Sequence, residues 1–284
     1  MLSPDTLIGN RHRILVNGGA VFRVGAVMRR SLSDSVGLVF SRNKCGYASD
    51  LTSIEKVLQE LGQHGESRHR LFRVDLADAH AAAAAVQQAN PDLVLHLGTE
   101  SDSQDDRSNK CPGACIKSDI TGTFSLLQAE RVSWEGLPAR RRELNRIHNI
   151  STDEVLCSLG ATGRFSETTT NTLYDPRSLY SPSKTCSDHL VQDWHQTYGL
   201  PVVMTNCSNN YGSWQFLKKL SPVVILEAAA REPIRPYGDA QNAHDWLYVV
   251  ENLIGFCWRP PRISWGTAIA WEAMGSAPTS RWWR

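Results

Sequence analysis

Short apolar runs alternate along the chain with longer stretches of helical periodicity. The runs RILV at 13–16, VGLVF at 36–40, LFRV at 71–74, LVLHL at 93–97, IHNI at 147–150 and VVMTN at 202–206 read as strands. Between them, 51–61, 77–89, 116–131 and 182–198 carry apolar residues at helical spacing, and Asp78 stands where it can cap the alanine-rich helix. Pro91 and Pro201 end helices just before strands, because each lacks the N–H a helix would use. Strands separated by helices of this length need crossover connections. The pattern therefore predicts an α/β fold with a doubly wound parallel sheet.

Composition narrows the partner. Over 284 residues, 30 Lys and Arg against 29 Asp and Glu leave a net charge of +1, with 41% hydrophobic residues. That suffices for a core and gives no field for nucleic acid or an anionic membrane, so neither is expected and a small molecule is. No run approaches the ~20 apolar residues of a bilayer span, and MLSPDTLIGNRHR lacks the apolar stretch of a secretory signal, so a cytoplasmic protein is expected. Seven cysteines, an odd number and scattered, read as reduced thiols. Cys111 and Cys115 lie four apart without a second pair at matching spacing, so no metal site is expected. The basic run ARRRELNR at 139–146 reads as a solvated face, and 258–284, with five of the nine tryptophans and no periodicity, is expected not to continue the preceding fold.

Two places carry chemistry. After the first strand, NGGAVFRVG sets glycines before a helix, where backbone N–H groups and the helix dipole can meet a dinucleotide pyrophosphate; an ordinary strand-to-helix turn is equally consistent. After the fifth strand, Thr152, Asp153 and Glu154 stand at the carboxyl edge where open α/β sheets bind ligands. Adjacent carboxylates serve acid/base work only if their environments separate their pKa values, and Ser-Thr-Asp-Glu is also a capping sequence. Further on, Tyr180 and Lys184 in YSPSK fall one turn apart if a helix begins near Pro182, so the ammonium can lower the phenol pKa and let it take a hydroxyl proton.

Gly18, Gly19, Ala20 and Phe22 match the first turn of the extended short-chain dehydrogenase/reductase family, which the chain resembles. STDEV, YSPSK, SDHLV, TNCSNNYG and DWLYV, in that order over about 13–250, resemble the dTDP-glucose 4,6-dehydratases. The resemblance implies a Rossmann-like fold with a partial C-terminal substrate lobe: a dinucleotide-binding domain over 12–206, the partial lobe over 207–257 and an unassigned tail over 258–284. It also implies an NAD cofactor, a dTDP-glucose substrate and a homodimer formed by the helices around 112–131 and 182–198. In the implied reaction Tyr180, assisted by Lys184 and Thr152, deprotonates the C4 hydroxyl as hydride passes to NAD. Glu154 removes the C5 proton, Asp153 protonates the departing C6 hydroxyl, and hydride returns to C6. Around the cofactor it places Gly18, Phe22, Asn43, Lys44, Asp75, Leu76, Gly98, Thr99, Ser118 and Asn209 with Tyr180 and Lys184. Around the substrate it places Ser101, Thr152, Asn210, Lys219, Leu220, Pro222, Tyr237 and His244.

The departures bear on binding. Val21 and Val24 replace glycines of the turn and add bulk where backbone must approach phosphate, which should weaken cofactor binding. Arg23 replaces an aliphatic residue; it could pair with phosphate, though a surface arginine is the plainer reading. Asn43, in place of a ribose-binding Asp and flanked by Arg42 and Lys44, admits NADP as a choice ranked below NAD. His244 replaces a phosphate-binding Arg and should lower diphosphate affinity. The family's C-terminal segments have no counterpart after Glu251. The leading reading is an NAD-dependent lyase; the alternatives are an inactive remnant of that family and a related nucleotide-sugar epimerase or decarboxylase.

Overall fold

Most of the apolar runs are strands with both faces covered, so nearly every position in them is buried, whereas the run at 71–74 is half-buried to exposed. The computed structural model describes residues 13–18, 22–34, 37–44, 51–97, 112–156, 174–176, 180–217, 219–234, 243–244, 246–249, 268–271 and 277–278. In it, β1 (Arg13–Asn17), β2 (Leu38–Asn43), β3 (His69–Arg73), β4 (Leu93–His96), β5 (Arg146–Thr152) and β6 (Val202–Cys207) occupy the six expected runs. The short β7 (Asn209–Tyr211), β8 (Ala243–His244) and β9 (Trp246–Tyr248) follow, then β10 (Ala268–Trp271) and β11 (Ala277–Pro278).

The main sheet is ordered β10-β6-β5-β4-β1-β2-β3, and all its pairings are parallel. The stretch expected not to continue the fold thus supplies the edge strand: Ala268–Trp271 runs beside β6 with Ala268 opposite Met204. Backbone pairing at an open sheet edge needs no side-chain periodicity, which is why the sequence pattern did not announce it. Two smaller ladders join β7 to β9 in parallel and β8 to β11 antiparallel.

Helices α1 (Phe22–Asp34), α2 (Thr52–Leu61), α3 (Gln63–Glu66), α4 (Ala79–Ala89), α5 (Pro112–Cys115), α6 (Gly122–Glu135), α7 (Ala139–Leu144), α8 (Tyr180–Tyr198) and α9 (Leu220–Ala230) complete the element order. A π-helical turn, Ile116–Thr121, joins α5 to α6, so the regular helix expected from 116 starts later and is preceded by a wider turn. Strand alternation feeds two cores. On one face, Ile14 and Val16 pack with Val24, Val27, Met28 and Ile54 from α1 and α2. On the other, Leu15 and Val94 pack with Val86 of α4, Leu126 and Leu127 of α6 and Val191 of α8. Asp78 caps α4 by accepting the Ala81 N–H at 3.0 Å, and Asn90 ends it in the left-handed region at φ 40° just before Pro91.

Candidate active site

The chain winds one way from β1 to β3 and the other way from β4 to β6, so the reversal lies between β1 and β4, and a ligand crevice belongs at their carboxyl ends. Gly18 leaves β1 at φ 99°, a conformation that favours glycine, and its N–H donates to the Arg42 carbonyl at 2.7 Å. Gly19, Ala20 and Val21 lie outside the described residues. Val24 does not narrow the crevice: its side chain is fully buried in the core beneath α1. Gly25 faces α2, where an added Cβ would meet Ser53 Oγ at 3.0 Å. At the end of β2, Asn43 is buried and Lys44 exposed. Arg42 points away from any ribose site, bonding Asn17 Oδ1 at 2.8 Å and the Ala82 carbonyl at 3.2 Å beneath α4, so it does not contribute to a choice of NADP. After β3, the Asp75 carboxylate accepts the Ala77 N–H at 3.0 Å, and Leu76 packs where a Cβ on Gly122 would approach it to 2.9 Å. Ser118 sits half-buried on the π turn, next to the buried Asp119.

β5 ends at Thr152, whose Oγ1 accepts the Glu154 N–H at 3.3 Å and lies 3.2 Å from Asp153 Oδ1. The Thr-Asp-Glu run therefore does cap a short turn, Asp153–Val155, and that turn brings both carboxylates to the sheet edge. Their environments differ. Asp153 is half-buried, whereas Glu154 is exposed, with the Ser181 hydroxyl 3.4 Å from its Oε2. Tyr180 is buried at the first residue of α8, two residues earlier than the helix start expected at Pro182. Lys184 is buried one turn on, and Ser183 Oγ lies 2.7 Å from both Asp119 Oδ2 and the Tyr180 carbonyl.

Arg23 corrects the surface reading. Its Nη1 donates to Cys207 Sγ at 3.1 Å, at the carboxyl end of β6. Burial lowers the guanidinium pKa, but Cys207, Tyr180, Asp153 and Glu154 outweigh it and leave it raised, which places all four within electrostatic reach of one cation. The phenol behaves differently from expectation. Burial pushes the Tyr180 pKa far up, Arg23 opposes the rise, and Asp119, Glu154 and Cys207 add to it. The charge of Lys184 acts instead on Asp188 and His96.

Sequence reasoning missed the polar row beneath this edge. Arg42, Asn17, His96 and Asn149 are successive partners across β2, β1, β4 and β5, so their side chains share a face. His96 Nε2 lies 3.1 Å from Thr123 Oγ1, and Asn149 Nδ2 donates to Asp188 Oδ1 at 3.1 Å. Asp188 also receives the Ser151 hydroxyl at 2.7 Å. Burial raises its pKa to about 6 while Lys184 and hydrogen bonds from Ser151, Tyr174 and Asn149 pull it down. Further along the row, burial raises Glu130 to about 8 and lowers Arg42 to about 10, each charge offsetting part of the other's shift. Only a shared register of polar residues at strand ends could have signalled this from sequence.

Of the residues expected around a substrate, Asn210 is buried with its Nδ2 donating to the Ser208 carbonyl at 2.8 Å, and Asn209 opens the strand β7. Lys219 stands just before α9, and Leu220 and Pro222 lie in its first turn, all half-buried. His244 is placed by backbone alone in β8 opposite Ala277. Gly98, Thr99, Ser101 and Tyr237 lie outside the described residues. The crevice wall fits a dinucleotide: Gly18 turns with positive φ, the first turn of α1 carries no acidic side chain to repel phosphate, and a buried amide, Asn43, stands at the end of β2.

The sequence profile described as GDP-mannose 4,6 dehydratase matches residues 15–259. A dTDP-glucose 4,6-dehydratase of Xanthomonas campestris pv. campestris strain B100 is 42% identical over 238 residues, 84% of this chain and 64% of that protein. Another, from Neisseria meningitidis serogroup B strain MC58, is 42% identical over 241 residues, 84% and 65% of the two. The chain thus spans slightly under two thirds of the length of these relatives. Among solved structures, a dTDP-glucose 4,6-dehydratase from Streptomyces venezuelae with NAD and TYD bound superposes with TM-score 0.77 at 25% identity, covering 95% of this chain and 78% of that one. The UDP-glucose 4-epimerase of Thermus thermophilus, a complex with NAD, shares the fold with TM-score 0.74 at 21% identity, covering 95% and 81%.

Proposed function

The chain belongs to the GDP-mannose 4,6 dehydratase family, and from that premise we propose that it is a nucleotide-sugar dehydratase that uses NAD and converts dTDP-glucose to dTDP-4-keto-6-deoxyglucose with loss of water. The observation that carries the reading is that the acid turn after β5 and the first residues of α8 meet at the carboxyl edge of the sheet, the Ser181 hydroxyl next to Tyr180 lying 3.4 Å from Glu154 Oε2. Gly18, Phe22, Asn43, Lys44, Asp75, Leu76, Ser118 and Asn209 would hold the cofactor along the edge from β1 to β3 and across to β7. The chemistry that bound NAD supplies is reversible storage of a hydride taken from C4 and returned at C6.

The remaining steps belong to side chains. Tyr180 acts as its phenolate, the form that the Arg23 guanidinium favours against burial, and takes the proton of the C4 hydroxyl, while the buried Lys184 beside Asp188 helps to fix the sugar and the start of α8. Once C4 is a ketone, the C5 proton is acidic, and the exposed Glu154 removes it. Asp153, on the same turn, delivers a proton to the departing C6 hydroxyl. Asn210, Lys219, Leu220, Pro222 and His244 would line the nucleotide diphosphate.

A second reading, the inactive remnant, is favoured by one observation: Arg23 lies where the reacting groups converge. The test is water loss from dTDP-glucose, followed by mass spectrometry with NAD added. Turnover that falls at least ~100-fold in Tyr180→Phe, with the fold retained by circular dichroism, supports the dehydratase. No turnover at millimolar NAD leaves the remnant.

We assign the protein to the cytoplasm, in keeping with a nucleotide-sugar substrate. Among the described residues, no helix is long and apolar enough to cross a membrane. A second copy is the proposed partner: the helices over 112–135 and 180–198 expose Ile116 (55%), Phe124 (45%), Val132 (61%) and Tyr198 (41%), apolar side chains that a second copy would cover.

A further inference from the structure

Arg23 is the second residue of α1, which follows β1, yet its guanidinium ends at Cys207 on β6. In the sheet order β4 and β5 lie between β1 and β6, and Cys207 is the register partner of Thr152 at the end of β5, so the guanidinium ends beside the turn that carries Asp153 and Glu154. The reversal between β1 and β4 puts a ligand crevice at these same carboxyl ends. Arg23 therefore occupies part of the space that a ligand must enter to lie between α1 and Tyr180.

Taking the site as the dinucleotide crevice proposed above, we propose that Arg23 is a built-in strap whose cation selects the charge state of the incoming nicotinamide, admitting the neutral reduced ring and disfavouring the cationic oxidised one. The physical reason is charge balance. In the proposed reaction Asp153 holds a proton, so the acid pair carries one negative charge, on Glu154, and the guanidinium already balances it. A reduced ring adds no charge. An oxidised ring adds a second cation at close range in a partly buried setting, where like charges repel far more than in water. Without the guanidinium, the remaining carboxylate would draw the oxidised ring in. The reaction begins from the oxidised form, so the strap holds back the first step.

Calorimetric titration with NAD and with NADH decides this. The protein as it stands is expected to bind NADH at least tenfold tighter than NAD. Arg23→Leu is expected to bring the two affinities within about threefold, chiefly by tightening NAD. Cys207→Ala removes the anchor and keeps the cation, and should fall between. Should Arg23→Leu not fold, Arg23→Gln, which keeps most of the length and loses the charge, is read by the same ratio. An unchanged ratio in the charge-neutral variant, with binding intact, overturns the strap and leaves the dehydratase reading standing. Binding of both forms by Arg23→Leu and of neither by the parent overturns the charge selection, because Arg23 then excludes both rings alike, and overturns the reading of the unaltered chain as an active enzyme. Binding of neither form by any variant overturns both.

Discussion

Glu130 sits inside the protein as an acid whose folded pKa is about 8, against an ordinary 4.5, because burial penalises its charge more than Arg42 repays. The folded state thus binds this proton more tightly than the unfolded chain. Its contribution to stability is complete below about pH 4.5 and is lost as pH rises through about 8. Asp188, raised from 3.8 to about 6, slopes the same way over a lower window. Glu130→Gln should therefore flatten the fall in unfolding free energy between pH 6 and 8, and leave the slope near pH 5 that belongs to Asp188. Urea unfolding at a series of pH values measures both. At this scale, the residues legible in the sequence were those carrying chemistry in a recognisable order, Thr152, Asp153, Glu154, Tyr180 and Lys184. Arg23, Arg42 and Asp188 were not, since a charge read along a chain looks solvated until its neighbours in space are known.

Where two elements approach closely, glycine decides the fit. Gly122 opens α6 against Leu76, and a Cβ there would lie 2.9 Å from the Leu76 Cβ. Gly122→Ala should destabilise: overpacking costs roughly 1–3 kcal/mol, against about 1 kcal/mol gained from better helix propensity. A lowered urea midpoint with unchanged slope would show it; a raised midpoint would mean that Leu76 gives way cheaply. The six strands and the alanine-rich helix with its Asp78 cap were readable because periodicity and capping are local. The π turn at Ile116–Thr121 was not, because one wide turn leaves the apolar spacing of a helix almost unchanged. The start of α8 at Tyr180 was likewise hidden, since Pro182 fits any position in a first turn.

For the molecule as a whole, the apolar side chains exposed along 116–135 and on α8 are the proposed meeting face of two copies. Ile116→Asp combined with Val132→Asp should convert a dimer to a monomer in light scattering, with far-UV circular dichroism unchanged; a parent already monomeric removes the second copy as partner. The sequence by itself determined the α/β class, the parallel sheet and the set of groups able to move protons, because burial on both faces, helix period and side-chain chemistry are each written locally. Only the tertiary structure decided that 268–271 would close the sheet edge, that four polar residues on four strands would line up beneath the crevice, and that Arg23 would reach across it to Cys207. Each of those is a pairing between residues far apart in the chain, fixed by strand register and helix docking, and no local pattern encodes the distance between them.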